Sequence, residues 1–232
     1  MENLFLKYML EQDKRRSLKK KLDFSGPVIT ISREHGCPAT HIAESLSEAL
    51  TKRNIIIGKD LPWKWISKEI IEESAKELRL SPDLTKDLTD YKARGFFENL
   101  ALFFSDEFYP SDAKIRNTIA KFIYGAAHKG NVVIVGRAAE SITKNFEHAI
   151  HIKLTAPLEW RVNEIVKNTG LNPNDARKQA IDMDKRREQF RRYFEKDRED
   201  IEFFDTFFNC ASMSEEEIIE MIIILAEIRG FV

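Results

Sequence analysis

Pro27-Val28-Ile29-Thr30-Ile31-Ser32-Arg33-Glu34-His35-Gly36-Cys37-Pro38-Ala39-Thr40-His41-Ile42-Ala43 decides the fold. A short β-branched apolar run passes through a tight polar loop into a segment with Ile42, Ala43, Leu46, Ala49 and Leu50 at helical spacing. Strand, loop and helix in that order set backbone N–H groups at a helix N-terminus, where the peptide dipoles favour an anion. The layout is that of a phosphate-binding loop, yet the lysine and most of the glycines such a loop uses are missing.

Outward from this stretch, Asn54–Ile57 (or Leu61–Ile66), Asn131–Val135, Ala149–Leu154 and Asp205–Asn209 read as further strands. Val132-Val133-Ile134-Val135 does not alternate polar with apolar, which suits a parallel strand covered on both faces. Asn172-Pro173 and Ser81-Pro82 each place a capping side chain before a proline at the first helical position. Ser214 and Glu217 form a capping box ahead of a final apolar helix. Strands alternating with helices predict an α/β fold, a five-stranded parallel sheet with helices on both faces and right-handed crossovers. Residues 1–24, apolar then basic, read as an N-terminal helical extension to a domain over 25–232. The region from Leu78 to Tyr124 reads as helical, with Phe96, Phe97, Phe103, Phe104, Phe108 and Tyr109 expected in a core or subunit interface. A homo-oligomer is thereby left open.

Composition narrows the class. Of 232 residues, 43% are hydrophobic and 32% charged, ordinary for a globular domain large enough to bury a core. Lys and Arg (37) nearly balance Asp and Glu (38), which argues against a nucleic-acid binder. Met221 to Ala226 is too short an apolar run to cross a bilayer, and the first residues carry no cleavage signature. Two cysteines make no disulfide framework. A cytoplasmic protein with no membrane partner is expected.

Three clusters suit a polyanion: the loop Ser32 to His41, Gly136-Arg137 directly after a strand, and Asp184-Lys185-Arg186-Arg187-Glu188-Gln189-Phe190-Arg191-Arg192. Residues beyond the carboxyl ends of parallel strands line the ligand crevice, so Arg137 is placed for bidentate phosphate contact. On a helix, Arg187 shares one face with Arg191 and with Asp184. His35, Cys37 and His41 lack a second ligand pair, so no metal site is expected from them.

Ile29-Thr30-Ile31-Ser32-Arg33-Glu34-His35-Gly36, Trp65-Ile66-Ser67-Lys68-Glu69, Val135-Gly136-Arg137-Ala138, Thr155-Ala156-Pro157-Leu158-Glu159-Trp160-Arg161 and Asp184-Lys185-Arg186-Arg187 follow in order. Together they resemble the cytidylate kinase-like family, a branch of the P-loop nucleoside monophosphate kinases. The resemblance implies a three-layer P-loop kinase-type fold, with a helical acceptor-covering insert around 67–125 and a lid around 170–200. It implies ATP as cofactor, held by Arg33, Gly36, Cys37, Ala39, Thr40 and His41, usually with Mg²⁺. Gly136 and Arg137 would hold the acceptor, a nucleotide or other phosphorylated small molecule, and Arg161, Arg187 and Arg191 would stabilise the transferred phosphoryl group.

The loop departs from the family pattern: its glycine, lysine and metal-binding threonine fall on Pro38, Ala39 and His41. Proline removes one N–H donor, and side chains narrow the backbone approach that glycine allows. Thr40 offers a hydroxyl to Mg²⁺ one position earlier. Val135 and Ala138 stand where carboxylates flank the Gly-Arg motif. Three functions fit: CMP-like kinase, nucleotide binding without transfer, and structural or oligomeric partner binding.

Overall fold

The central strand is apolar on both faces, and this sets the layering. Val28, Ile29, Thr30 and Ile31 are all buried in the computed structural model of the chain, which describes residues 26–67, 113–195 and 199–232. The strands are β1 (Val28–Arg33), β2 (Lys64–Ile66), β3 (Val132–Val135), β4 (Ala149–Thr155) and β5 (Thr206–Asn209). All pairings are parallel, in the order β2-β3-β1-β4-β5, with Val28 opposite both Val132 and Ala149. The helices are α1 (Ala39–Ile56), α2 (Ala113–Lys129), α3 (Ala139–Ile142), α4 (Leu158–Thr169), α5 (Pro173–Phe194) and α6 (Glu215–Ile228).

Alternate side chains of each strand leave opposite faces. Ile29, Ile31, Val133 and Val135 meet Ile42, Leu46 and Leu50 of α1 and Ile218 and Ile222 of α6. Val28, Val132 and Ile134 meet Ile123 and Ala127 of α2 and Phe190 and Phe194 of α5. Pro38 begins α1 without a side-chain cap, a loss of about 1 kcal/mol. Burying each of Ile42, Leu46 and Leu50 returns about 1.5–3 kcal/mol, so packing and not capping starts this helix.

Two expected starts are observed. Asn172 accepts from the Asp175 amide with Pro173 at the first helical position of α5, and Ser214 and Glu217 close the capping box of α6. Of the two segments read for the second strand, the structure takes the second. Asn54 to Ile56 form the last turn of α1, and the strand lies within the alternative Leu61–Ile66. Here helix cooperativity overrides the β-branched run. The Asn54 amide donates to the Leu61 carbonyl at 2.6 Å and holds the turn closed, leaving Ile55 and Ile56 exposed. The N-terminal extension, Ser81-Pro82 and the aromatic residues 96–109 lie outside the described residues.

Candidate functional site

The carboxyl ends of β1, β3 and β4 converge on the loop between β1 and α1. Much of that loop's donor capacity is already engaged. The Glu34 amide bonds Leu154 O, the Cys37 amide bonds Glu34 O, and the Ala39 amide bonds Cys37 O. The His35 amide donates to Asp184 Oδ1 at 2.7 Å, and Pro38 has no N–H. Among the described residues, the amides of Gly36, Thr40 and His41 remain without a backbone partner at the entrance to α1.

Gly36 has φ +100°, and a Cβ there would lie 2.9 Å from Arg161 O, so the loop rests on the first turn of α4. Arg161 itself is buried (7% exposed) and braces this contact. Its guanidinium donates to Ala156 O, to His35 O and, at 2.6 Å, to Asp184 Oδ2, and it sits 3.5 Å from Glu34. It lines neither cavity described below.

After β3 the chain makes a rare turn: Gly136, Arg137 and Ala138 are all left-handed, at φ +71°, +59° and +54°. Gly136 is needed twice over, because a Cβ there would lie 2.0 Å from Arg33 Nη1. The Gly-Arg motif thus seats the Arg33 guanidinium as well as presenting Arg137.

Two cavities flank the loop. The inner one, about 550 Å³, is lined by Arg33, Gly136, Arg137, Lys153, Arg187 and Arg191 among others. The outer one, about 820 Å³, is lined by residues 33–41 with Trp160, Cys210 and Met213. Only Arg33, Glu34 and Arg187 among the described residues line both. Arg187 donates to Arg33 O at 3.3 Å and lies 3.7 Å from Asp184. Arg191 pairs with Asp200 at 2.5 Å beside the ring of Phe203. Lys153 pairs with the same carboxylate. Seven of the sequence-predicted residues therefore stand around the outer cavity and five around the inner one, counting Arg33 and Arg187 in both; Arg161 alone stands apart as a brace.

Sequence reasoning missed the partners. His41 is exposed and bound to Glu215, which pushes its pKa above the usual histidine value. The Cys37 thiol is hydrogen-bonded to Cys210, and this contact together with burial pushes the Cys37 thiol up. His151, buried against Thr30 Oγ1 at 2.8 Å, is pushed down to about 4 by desolvation. None of these pairings leaves a signal at short sequence range. Among the described residues, no group of three or more His, Cys, Asp or Glu is placed to hold a metal ion, and no helix is long and apolar enough to cross a membrane.

Comparison with known proteins adds the family. The sequence model of the cytidylate kinase-like family matches residues 28–212. A cytidylate kinase of Staphylothermus marinus is 31% identical over 113 residues, 48% of this chain and 63% of that protein. A cytidylate kinase of Ignicoccus hospitalis is 28% identical over 112 residues, 48% of this chain and 64% of that one. Each match thus spans less than two thirds of the relative. The crystal structure of an uncharacterized protein from Eubacterium ventriosum shares the fold, with a TM-score of 0.60 at 20% identity over 87% of this chain and 98% of that one.

Proposed function

The chain belongs to the cytidylate kinase-like family, and from that premise we propose that it transfers a phosphoryl group from ATP to a nucleoside monophosphate or similar phosphorylated acceptor. One observation carries the reading: two guanidinium groups, Arg33 and Arg187, stand on the wall common to both cavities. A group moving between two bound anions needs cationic stabilisation where its charge is shared, and little covalent help.

The outer cavity suits the donor. It offers the amides of Gly36, Thr40 and His41 to phosphate oxygens and the indole of Trp160 to an apolar base. The inner cavity suits the acceptor, with Arg137 gripping its phosphate. An acceptor phosphate oxygen bonds to the γ-phosphorus as the bond to the β–γ bridging oxygen breaks, and that oxygen leaves with ADP. Arg187 and Arg33 neutralise the charge spread over the transferred group, and Arg191 closes the acceptor side. Arg161 acts at one remove, by holding the loop. Mg²⁺, when bound, would be held mainly by phosphate oxygens and water, with the Thr40 hydroxyl as the neutral protein oxygen this loop would offer it, and it would neutralise charge on the donor.

A second reading has its own support. Asp184 occupies the His35 amide and Pro38 removes another donor, so the loop can hold nucleotide without driving transfer. A coupled ADP-release assay scanned over nucleoside monophosphates, run beside ATP thermal shifts, separates the two. Acceptor-dependent ADP release supports transfer. A thermal shift with no ADP release from any acceptor supports binding alone, and neither signal refutes both.

A further inference from the structure

Among the described residues, one carboxylate of the inner cavity, that of Glu140, keeps an oxygen that no protein group satisfies. Glu140, on α3, is 2% exposed and lines this cavity. One carboxylate oxygen turns back to its own backbone amide, and Oε2 has no hydrogen-bond partner among the described residues. Six other carboxylates line the same cavity, and each has a protein partner. Asp184 holds Arg161, Glu195 holds Lys144, Asp200 holds Lys153 and Arg191, and Glu188 holds Arg192. Glu34 receives the Ala156 amide, and Glu199 is closed in a capping box with Glu202.

A buried carboxylate oxygen left without a donor costs roughly 1–3 kcal/mol or more, and nothing among the described residues repays it. Desolvation raises the Glu140 pKa, while the positive charges of Arg191 and Lys153 oppose that rise and Asp200 adds to it. The residue sits just past the strained Gly136-Arg137-Ala138 turn, so one short segment carries both Arg137 and Glu140 into the cavity.

We propose that Glu140 reads the acceptor, its Oε2 accepting a hydrogen bond from an N–H or O–H group that the acceptor carries away from its phosphate. This rests on the acceptor lying in the inner cavity. An acceptor with a carbonyl or hydrogen at that point would leave the carboxylate unpaired and be rejected. The partner is an amino group of a base or a hydroxyl of a sugar, and matched ligands tell the two apart.

The test uses the full chain and Glu140→Gln, which keeps shape and removes the anion. Binding of CMP, UMP and dCMP is titrated by calorimetry: CMP against UMP exchanges an amino group for a carbonyl, and CMP against dCMP removes one hydroxyl. The wild type should prefer CMP in at least one pair by roughly 10- to 100-fold, the range for a hydrogen bond to a charged group. In Glu140→Gln that ratio should collapse to within about threefold while phosphate-dependent binding persists. The ligand-free variant should also melt at the same temperature as wild type or higher, because an unpaired charge has been removed. Unchanged ratios, or a variant that melts lower, would overturn the assignment of Glu140 alone. No binding of any monophosphate by either protein would instead overturn the placing of the acceptor, and this inference with it.

Discussion

Gly136→Ala tests the coupling between the turn after β3 and the Arg33 guanidinium. An alanine Cβ at this position would lie 2.0 Å from Arg33 Nη1 and 3.2 Å from its Cζ. Ordinary contact is about 3.5 Å, so the guanidinium must retreat by roughly 1.5 Å. The clash is with the end of a flexible side chain, so the fold survives. Holding alanine at φ +71° costs about 1–2 kcal/mol, which in a chain of this size lowers the melting temperature by about 2–8 °C. The functional cost is larger. A displaced guanidinium loses a charge-assisted bond to phosphate worth about 1.5–3 kcal/mol, or roughly 10- to 100-fold in ATP affinity. Thermal melts and ATP titrations of Gly136→Ala, Arg33→Ala and the double variant form a cycle. Arg33→Ala should weaken ATP binding similarly, and adding Gly136→Ala should then weaken it no further. ATP binding at wild-type strength by Gly136→Ala, or fully additive losses in the cycle, would refute the claim that this glycine exists to seat Arg33.

Arg161→Ala leaves Asp184 and Glu34 facing each other without their shared cation, and should destabilise by about 3–5 kcal/mol in urea unfolding; a loss under 1 kcal/mol would contradict its role as brace. His151 is neutral when folded, so its contribution is complete above its ordinary value near 6.5 and is lost as pH falls toward about 4. Stability should drop by about 3 kcal/mol over that window, and His151→Gln should lack this component when the two are compared by urea unfolding at each pH. The Cys37 thiol, pushed up by Cys210 and lining the outer cavity, should alkylate slowly at pH 8, faster in Cys210→Ala, and more slowly again with ATP present; alkylation indifferent to ATP would place the donor elsewhere. Ala138→Gly, at φ +54°, should leave stability unchanged or raise it by about 1 kcal/mol in the same unfolding assay.

The layering was legible because it rests on local pattern. The unbroken Val132 to Val135 run and the spacing of Ile42, Leu46 and Leu50 each encode two-sided or one-sided burial directly. Asn54 to Ile57 misled because β-branched residues carry only a weak preference, and one side-chain bond from Asn54 to Leu61 O decided the turn. In the candidate site, sequence position brought Arg33, Arg137, Arg187 and Arg191 to the cavities but could not show what else holds them. Arg161 resembles the other arginines in sequence, yet two carboxylates and two carbonyls arriving from the β1–α1 loop, the β4–α4 connection and α5 enclose it. Glu140 carries no mark in the sequence, and among the described residues only the pairing of its neighbours sets it apart.

The lysine that this loop lacks can be replaced only by charge brought from elsewhere, and on the proposed reading that charge comes from two directions. Arg33 enters from the end of β1 and is fixed by Gly136; Arg187 enters from α5 and is hydrogen-bonded to the backbone of Arg33. A guanidinium offers a planar fork where an ammonium offers a point charge, so two of them on a shared wall can serve anions on both sides of it. Asp184 links this arrangement to the loop. Its two oxygens hold the His35 amide and the Arg161 guanidinium, while Arg187 lies on the next turn of the same helix. An incoming phosphate that takes the His35 amide must displace Asp184, and the carboxylate then weighs on both arginines. On the proposed reading, loop occupancy and the position of Arg33 and Arg187 are thus one equilibrium, set by a residue outside the loop, and by it a chain with Pro38 and Ala39 in place of glycine and lysine would couple donor binding to the acceptor side.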